Sequence, residues 1–272
     1  MIIEDLQKIA AEVRKDISRM IAAAGSGHTG GSLGITDILV FLYFDLMNHN
    51  SQKPDWEDRD RLVLSNGHVC PAQYAVLARA GYFSDSKLKS LRKLGSPLQG
   101  HPVRGSLPGI ETTSGPLGCG LAQSCGIALG ARIDGKRFRT FCITSDGEHD
   151  SGNHWEAVMF AAKYGLSNLT CFVDRNNVQI GGTTDEIMPL NPLADKYRAF
   201  NWNVIEIDGH NFEQMQDAIK TARAYYDGPT VIIAKTTAGK GVPFMENDYR
   251  WHGKAPNQEE AKKALQELAT RK

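Results

Sequence analysis

The sequence predicts an α/β fold, a doubly wound parallel sheet with helices on both faces, and three observations carry that reading. Short β-branched and aromatic runs alternate with helix-length segments along the later chain. Several of those runs are apolar throughout, and polar loops with glycine or asparagine follow them. A strand that is apolar at every residue has to be covered on both faces, which is the signature of parallel sheets whose connections are helices. At 272 residues, with 41% hydrophobic and 23% charged residues, the chain has the composition and length to bury one substantial core. No repeat, low-complexity tract or boundary breaks it, so a single domain over 1–272 is expected.

The elements follow in chain order. Leu6, Ile9, Ala10, Val13, Ile17, Met20, Ile21 and Ala24 recur at three- and four-residue steps and predict an amphipathic helix ending at Gly25. Residues 95–116 are rich in Gly, Pro and Ser and predict a long ordered loop. RTFCITSD reads as a strand, HWEAVMFAAKYG as a helix, LTCFVDRN as a strand and PLADKYRAF as a helix. WNVIEIDG, FEQMQDAIKTARAYY and TVIIAKTT continue as strand, helix and strand, and QEEAKKALQELA closes the chain as a helix. In such sheets ligands bind beyond the carboxyl ends of the strands, where the loops beginning SDGEHD, RNNVQI and TTAGKG lie.

Charge and cysteine usage narrow the function class. Lys plus Arg equals Asp plus Glu, 31 each, so no broad field draws the chain to nucleic acid or an anionic membrane, and a small polar substrate fits better. Five cysteines, an odd number without a C-x-x-C pair, point to a reducing cytoplasm. The N-terminal segment is charged at helical spacing and no stretch reaches membrane-spanning length, so neither an export signal nor a membrane span is expected.

Asp146-Gly147 follows one predicted strand directly, and Asn176-Asn177 follows the next. Two oxygen-bearing side chains thereby reach the same sheet edge, where Mg²⁺ or Ca²⁺ would find a carboxylate, an amide oxygen, a backbone carbonyl and phosphate oxygens. Gly147 would let the backbone approach a diphosphate. Either pair alone also reads as ordinary turn chemistry. His28, His68, His101 and His252, half of the eight histidines, each sit beside Gly in loop sequence, where imidazoles can face a cleft.

The arrangement resembles the thiamine diphosphate motif, and its flanks resemble transketolase N-terminal domains from Ser26 to Pro256. The matching elements are Ser26-Gly27-His28-Thr29-Gly30, Leu64-Ser65-Asn66-Gly67-His68, Gly100-His101-Pro102, the stretch from Leu107 to Gly120, and Trp251-His252-Gly253-Lys254. The resemblance implies thiamine diphosphate with Mg²⁺ or Ca²⁺, and metal ligands Asp146, Asn176 and the Val178 carbonyl. It implies cofactor contacts from His68, Gly115, Pro116, Leu117, Gly147, Asn176, Lys240 and Lys254, although Lys240 and Lys254 also read as plain surface lysines. His28, His68, His101 and His252 would handle substrate and protons. The implied reaction moves a two-carbon ketol unit between sugar phosphates in pentose phosphate metabolism. Its catalytic Glu belongs to a pyrimidine-binding domain that this sequence lacks, so a separate C-terminal subunit, a heterotetramer, or a shortened chain is implied. Ser145, Thr29, Cys119 and Ser151 depart from the family pattern. The first is tolerable unless the backbone needs positive φ. The last replaces a Glu of an acidic network between cofactor sites, for which Asp150 or Glu156 would substitute. Related readings are a deoxyxylulose phosphate synthase, a dihydroxyacetone synthase, a transketolase for an unusual sugar, or a binding module without activity. A nicotinamide dehydrogenase is disfavoured because no G-x-G-x-x-G opens a helix after the first strand.

Overall fold

The computed structural model describes residues 1–270 of the chain; the last two residues of the expected 1–272 domain lie outside the described residues. The main sheet is formed by β1 (Arg61–Leu64), β2 (Thr140–Ser145), β3 (Leu169–Arg175), β6 (Asn203–Asp208) and β7 (Thr230–Lys235), in the order β1-β2-β3-β7-β6. Every neighbouring pair is parallel. The remaining strands, β4 (Val178–Gln179) and β5 (Gly182–Thr183), make a small antiparallel hairpin at the site edge.

Alternate residues of each central strand feed two cores, as the two-residue period of a strand requires. Phe141, Ile143, Phe172 and Ile232 join the core built with α1 (Ile3–Ala24), α3 (Thr36–Phe41), α4 (Cys70–Arg79) and α9 (Phe212–Ala224). Cys142, Cys171, Val173, Val231 and Ile233 join the opposite core, with α5 (Cys119–Ile133), α6 (Gly152–Lys163) and α8 (Leu193–Ala199). Helices therefore cover both faces, as the uninterrupted apolar runs predict.

The predicted N-terminal helix is α1, whose buried stripe includes Leu6, Ala10, Val13, Ile17 and Ile21. It stops at Gly25, where φ is 66° and the amide closes onto the Ala22 and Ile21 carbonyls. Residues 95–116 hold no helix or strand and are pinned through Leu98, Leu107 and Ile110. The chain closes with α10 (Gln258–Thr270), packed on α1.

Four helices and one strand escape the periodicity argument. The short helix α2 (Thr29–Gly34) and α3 are buried on every side, as is α4 from Cys70 to Ala78, so no polar face marks their period. In α5 glycine and alanine replace the polar stripe. The four-residue β1 is too short to announce itself beside its glycine loop. A further helix, α7 (Thr184–Ile187), is a single turn. Among the described residues no helix is long and apolar enough to cross a membrane.

Candidate active site at the carboxyl edge of the sheet

The loops leaving β1, β2, β3 and β7 surround a cavity of about 400 Å³ lined by His28, His68, His101 and His252. His28 enters α2, His68 follows β1 in a 3₁₀ turn, and His252 follows the turn Tyr249–Trp251. Ring centroids of His28 and His68 are 4.9 Å apart, His28 and His252 5.4 Å, and His68 and His252 5.2 Å. Burial, reinforced by mutual repulsion and by Arg92, lowers His28 to about 4. It also lowers His68, His101 and His252. At neutral pH these rings are uncharged, each offering one donor and one acceptor nitrogen. His28 Nδ1 is buried without a partner, as are both polar atoms of the Asn66 side chain in the loop carrying His68. Orphaned polar atoms of this kind suit a polar ligand.

The floor of the cavity includes Ser145, Gly147, Asn176 and Val178. Asp146 is 1% exposed. Its Oδ2 accepts the Asn177 amide at 2.6 Å and Arg175 Nη1 at 3.2 Å, and its Oδ1 accepts the Gly147 amide at 2.8 Å. Burial outweighs these donors and raises its carboxyl to about 6. Asp174, also buried, is raised to about 7 by burial and by the Asp146 charge. Even with Arg175 beside Asp146 the two buried carboxyls stay raised, and a divalent cation would relieve them. The Asn176 side chain is fixed from both ends, its Nδ2 donating to Asp174 Oδ2 at 2.9 Å and its Oδ1 accepting the Val178 amide at 2.9 Å. Among the described residues no group of three or more His, Cys, Asp or Glu side chains is disposed to hold a metal. The expected set contains a single carboxylate, so amide, carbonyl and phosphate oxygens must complete the shell, and on this chemistry the residues fit a metal that arrives with a diphosphate. Gly147 has room for a Cβ, which would meet Gln179 at an ordinary 3.5 Å, so no protein atom requires glycine there and only a ligand's approach would.

Glu148 ties three loops together and was not singled out from the sequence. Fully buried, it accepts Ser65 Oγ and the Gly118 amide on one oxygen and the Ser145 amide on the other, the latter two at 2.8 Å each. Ser65 Oγ in turn accepts the Gly120 amide at 3.0 Å. An added Cβ at Gly120 would lie 2.3 Å from Ser65 Cβ, so the start of α5 can pass this close only as glycine. The readable signal was the Ser145-x-x-Glu148 capping pattern. Asp174 and Tyr197 left no such signal, because they lie inside a strand and a helix run, and His149, in the turn after β2, meets Tyr197 only in the folded chain.

The other predicted residues are placed as follows. Gly115 and Leu117 line the cavity, whereas Pro116, Lys240 and Lys254 are not among its lining residues. Pro116 is exposed and Lys240 half-buried in the loop after β7. The Lys254 ammonium lies 2.7 Å from Glu260 and 4.0 Å above the Trp251 ring, which turns it to α10. Ser145 has φ −90°, so its departure from glycine needs no left-handed backbone. Thr29 donates to the Lys254 carbonyl at 2.7 Å, a bond proline could not make. Asp150 and Glu156 are both exposed, Asp150 accepting Gln179 Nε2 at 3.1 Å.

Known proteins similar to this chain in sequence and fold agree with one another. The family described as "Transketolase, thiamine diphosphate binding domain" matches residues 6–271. The "6-deoxy-6-sulfo-D-fructose transketolase subunit SqwG" of Clostridium sp. (strain MSTE9) is 42% identical over 97% of this chain and 96% of its own length. An apulose-4-phosphate transketolase subunit of Phocaeicola vulgatus is 38% identical over 100% of this chain and 96% of its own. The transketolase of Campylobacter jejuni superposes with a TM-score of 0.93 at 32% identity over 99% of this chain, which spans only 43% of that longer protein. Against human transketolase the identity is 37% over 98% of this chain and 42% of that protein. The parallel sheet, the cavity at its carboxyl edge and these matches together place the chain in the transketolase family, where it corresponds to the thiamine diphosphate-binding domain.

Proposed function

We propose that this chain is the N-terminal subunit of a two-chain transketolase, one diphosphate-binding domain over residues 1–272 that works with a C-terminal subunit carrying the pyrimidine-binding domain and its catalytic Glu. The observation that carries this reading is the convergence of His28, His68, His101 and His252 with Gly147, Asn176 and Val178 on a single cavity. The near full-length match to relatives named as transketolase subunits supports the division into two chains. A heterotetramer would pair two such halves.

Asp146, the Asn176 amide oxygen and the Val178 carbonyl would hold Mg²⁺ or Ca²⁺ against the diphosphate. When bound, thiamine diphosphate supplies the electron sink that lets a carbon–carbon bond of the ketose break. Besides the partner's catalytic Glu, the remaining roles fall to the chain's own residues. Neutral His28, His68, His101 and His252 donate to and accept from sugar hydroxyls, and an uncharged imidazole can take or give a proton at the carbonyl oxygen without first shedding one. Leu117 and Gly115 border the site where the thiazolium ring would lie, Leu117 excluding water. Pro116, Lys240 and Lys254 would be further cofactor contacts, although none of them lines the cavity. A reducing cytoplasm suits the free thiols of Cys70, Cys119, Cys125, Cys142 and Cys171.

The subunits named for 6-deoxy-6-sulfo-D-fructose and for apulose 4-phosphate favour a second reading of the substrate, a ketose outside the pentose phosphate pathway. The decisive assay measures ketol transfer by this chain alone, by a candidate C-terminal chain alone, and by an equimolar mixture, with ordinary and unusual ketose donors in parallel. Activity only in the mixture supports the two-chain reading, and the preferred donor separates the substrates. Full turnover by this chain alone would overturn it, and inactivity with every pyrimidine-domain chain of the same cell would favour a binding module.

A further inference from the structure

Behind the Asp146 turn lies a buried chain of three rings that the reaction does not touch. His149, in the turn after β2, is 3% exposed; His154 of α6 and Tyr197 of α8 are fully buried. His149 Nδ1 lies 3.0 Å from the Ser145 carbonyl and 3.0 Å from the Asp146 carbonyl. Tyr197 Oη lies 2.8 Å from His149 Nε2 and 2.8 Å from His154 Nε2. The Trp155 indole donates to the His149 carbonyl at 2.8 Å and fixes its backbone.

Counting protons gives this chain a direction. Carbonyl oxygens only accept, so the proton of His149 sits on Nδ1. Its ring partners are two carbonyls and a phenol, with no carboxylate among them, and a buried imidazole in such company is neutral. Its Nε2 is therefore bare and accepts the one hydroxyl proton that Tyr197 has. The phenol oxygen is then left to accept, and His154 must donate from Nε2. That leaves His154 Nδ1 as a bare acceptor, and it is the atom of this group found without a partner. Each assignment fixes the next, and no proton is left over.

We propose that His154, Tyr197 and His149 form a directional strut that positions the metal-ligating turn: α6 and α8 hold the His149 ring, and its Nδ1–H latches the Ser145 and Asp146 carbonyls. The three are positioning residues. They hold the peptides on either side of the Asp146 Cα so that its carboxylate is presented before any ligand arrives, which removes an ordering cost from binding. This rests on Asp146 being the metal ligand.

The test exploits amide side chains that copy one imidazole nitrogen each. In His149→Asn the amide NH₂ falls near the Nδ1 position and keeps a donor for the carbonyls; in His149→Gln the amide reaches toward Tyr197 and the latch is lost. Calorimetry of Mg²⁺-dependent thiamine diphosphate binding to the full chain, well below the thermal midpoint, should show about tenfold weaker binding for His149→Gln, the loss of about one net hydrogen bond's worth of preorganisation. His149→Asn should stay within about threefold of the unsubstituted chain, although both variants lose thermal stability to a similar extent. Tyr197→Phe, which keeps the ring and removes the link, should weaken binding while leaving secondary structure unchanged. Nitrogen-15 shifts of the unsubstituted protein should report the Nδ1–H tautomer at His149 and the Nε2–H tautomer at His154. Equal binding by the Asn and Gln variants, or the opposite tautomers, overturns the strut. Asp146→Ala separates the two ideas: if it abolishes metal-dependent binding while His149→Gln binds normally, only the strut fails, and if it leaves binding intact the ligand assignment fails first.

Discussion

Burying His28, His68 and His252 within about 5 Å of one another is compatible with folding only because they are neutral, and that has a pH signature. His28 has its pKa lowered to about 4, so below the ordinary imidazole value of about 6.5 the unfolded chain takes up the proton first. Stability from this cluster is therefore full above about 6.5 and is lost as pH falls toward 4. The thermal midpoint should drop by several degrees across that window, and His28→Asn should flatten the slope; an unchanged slope would place the proton uptake elsewhere. Glu148 presents the opposite case, a carboxylate whose pKa burial raises even though Ser65, Gly118 and Ser145 donate to it. Glu148→Gln turns an NH₂ toward existing donors, and urea unfolding should show a loss of about 1–3 kcal/mol. A neutral result would mean that the three loops hold one another without it.

At the level of elements, α1 is positioned by its cap and by a buried ion pair. At Gly25 an added Cβ meets nothing within 4 Å, yet φ is 66°, so Gly25→Ala should cost about 1 kcal/mol through backbone strain alone, measurable in urea. Arg14 on α1 forks onto both oxygens of Asp37 on α3, at 3.0 and 2.6 Å. His210 donates to the same carboxylate at 2.6 Å, since its Nε2 accepts the Thr237 amide at 2.8 Å. Burial raises the Asp37 pKa, but Arg14 and His210 overcome it and hold the group at about 2. One carboxylate thus fastens α1 and α3 to the loop after β7 that carries Lys240. Asp37→Ala should cost about 3–5 kcal/mol because the Arg14 charge stays buried without a partner. A loss under about 1 kcal/mol would show that water reaches Arg14 in its place.

Across the whole molecule, α5 and α6 leave Ile133, Met159, Phe160 and Tyr164 exposed, with the Phe160 and Tyr164 rings 4.5 Å apart. Leu117 and Ile180 add apolar surface at the cavity. On the proposed two-chain reading the α5–α6 patch is surface that a C-terminal subunit would cover. Met159→Glu with Phe160→Glu should leave the isolated chain's thermal midpoint nearly unchanged, since both side chains are exposed, while weakening association with the partner about thirtyfold or more. Association of undiminished strength by sedimentation would move the interface elsewhere. Metal and cofactor should also bind as a pair. With one carboxylate in the set, Mg²⁺ alone should bind weakly, and thiamine diphosphate and Mg²⁺ should each tighten the other by the same factor, as linkage requires.

The sequence by itself determined four of the five strands of the main sheet and the location of the chemistry. Largely apolar runs such as RTFCITS and LTCFVDR, alternating with helix-length segments, read as doubly covered parallel strands, and the polar residues after them as the carboxyl edge, because both inferences depend on local pattern alone. His28, His68, His101 and His252 were legible for the same reason, each beside a glycine in a loop. Helices α2, α3, α4 and α5 were not, since a helix buried on all sides has no polar face to reveal its period. Tertiary structure alone decided which residues meet across long separations: Glu148 with Ser65 and Gly118, Asp174 with Thr236, Asp37 between Arg14 and His210, and Tyr197 between two imidazoles. Each of these is a buried polar group, and a buried polar group is stable only with a partner, whose identity depends on packing that no local window of sequence contains.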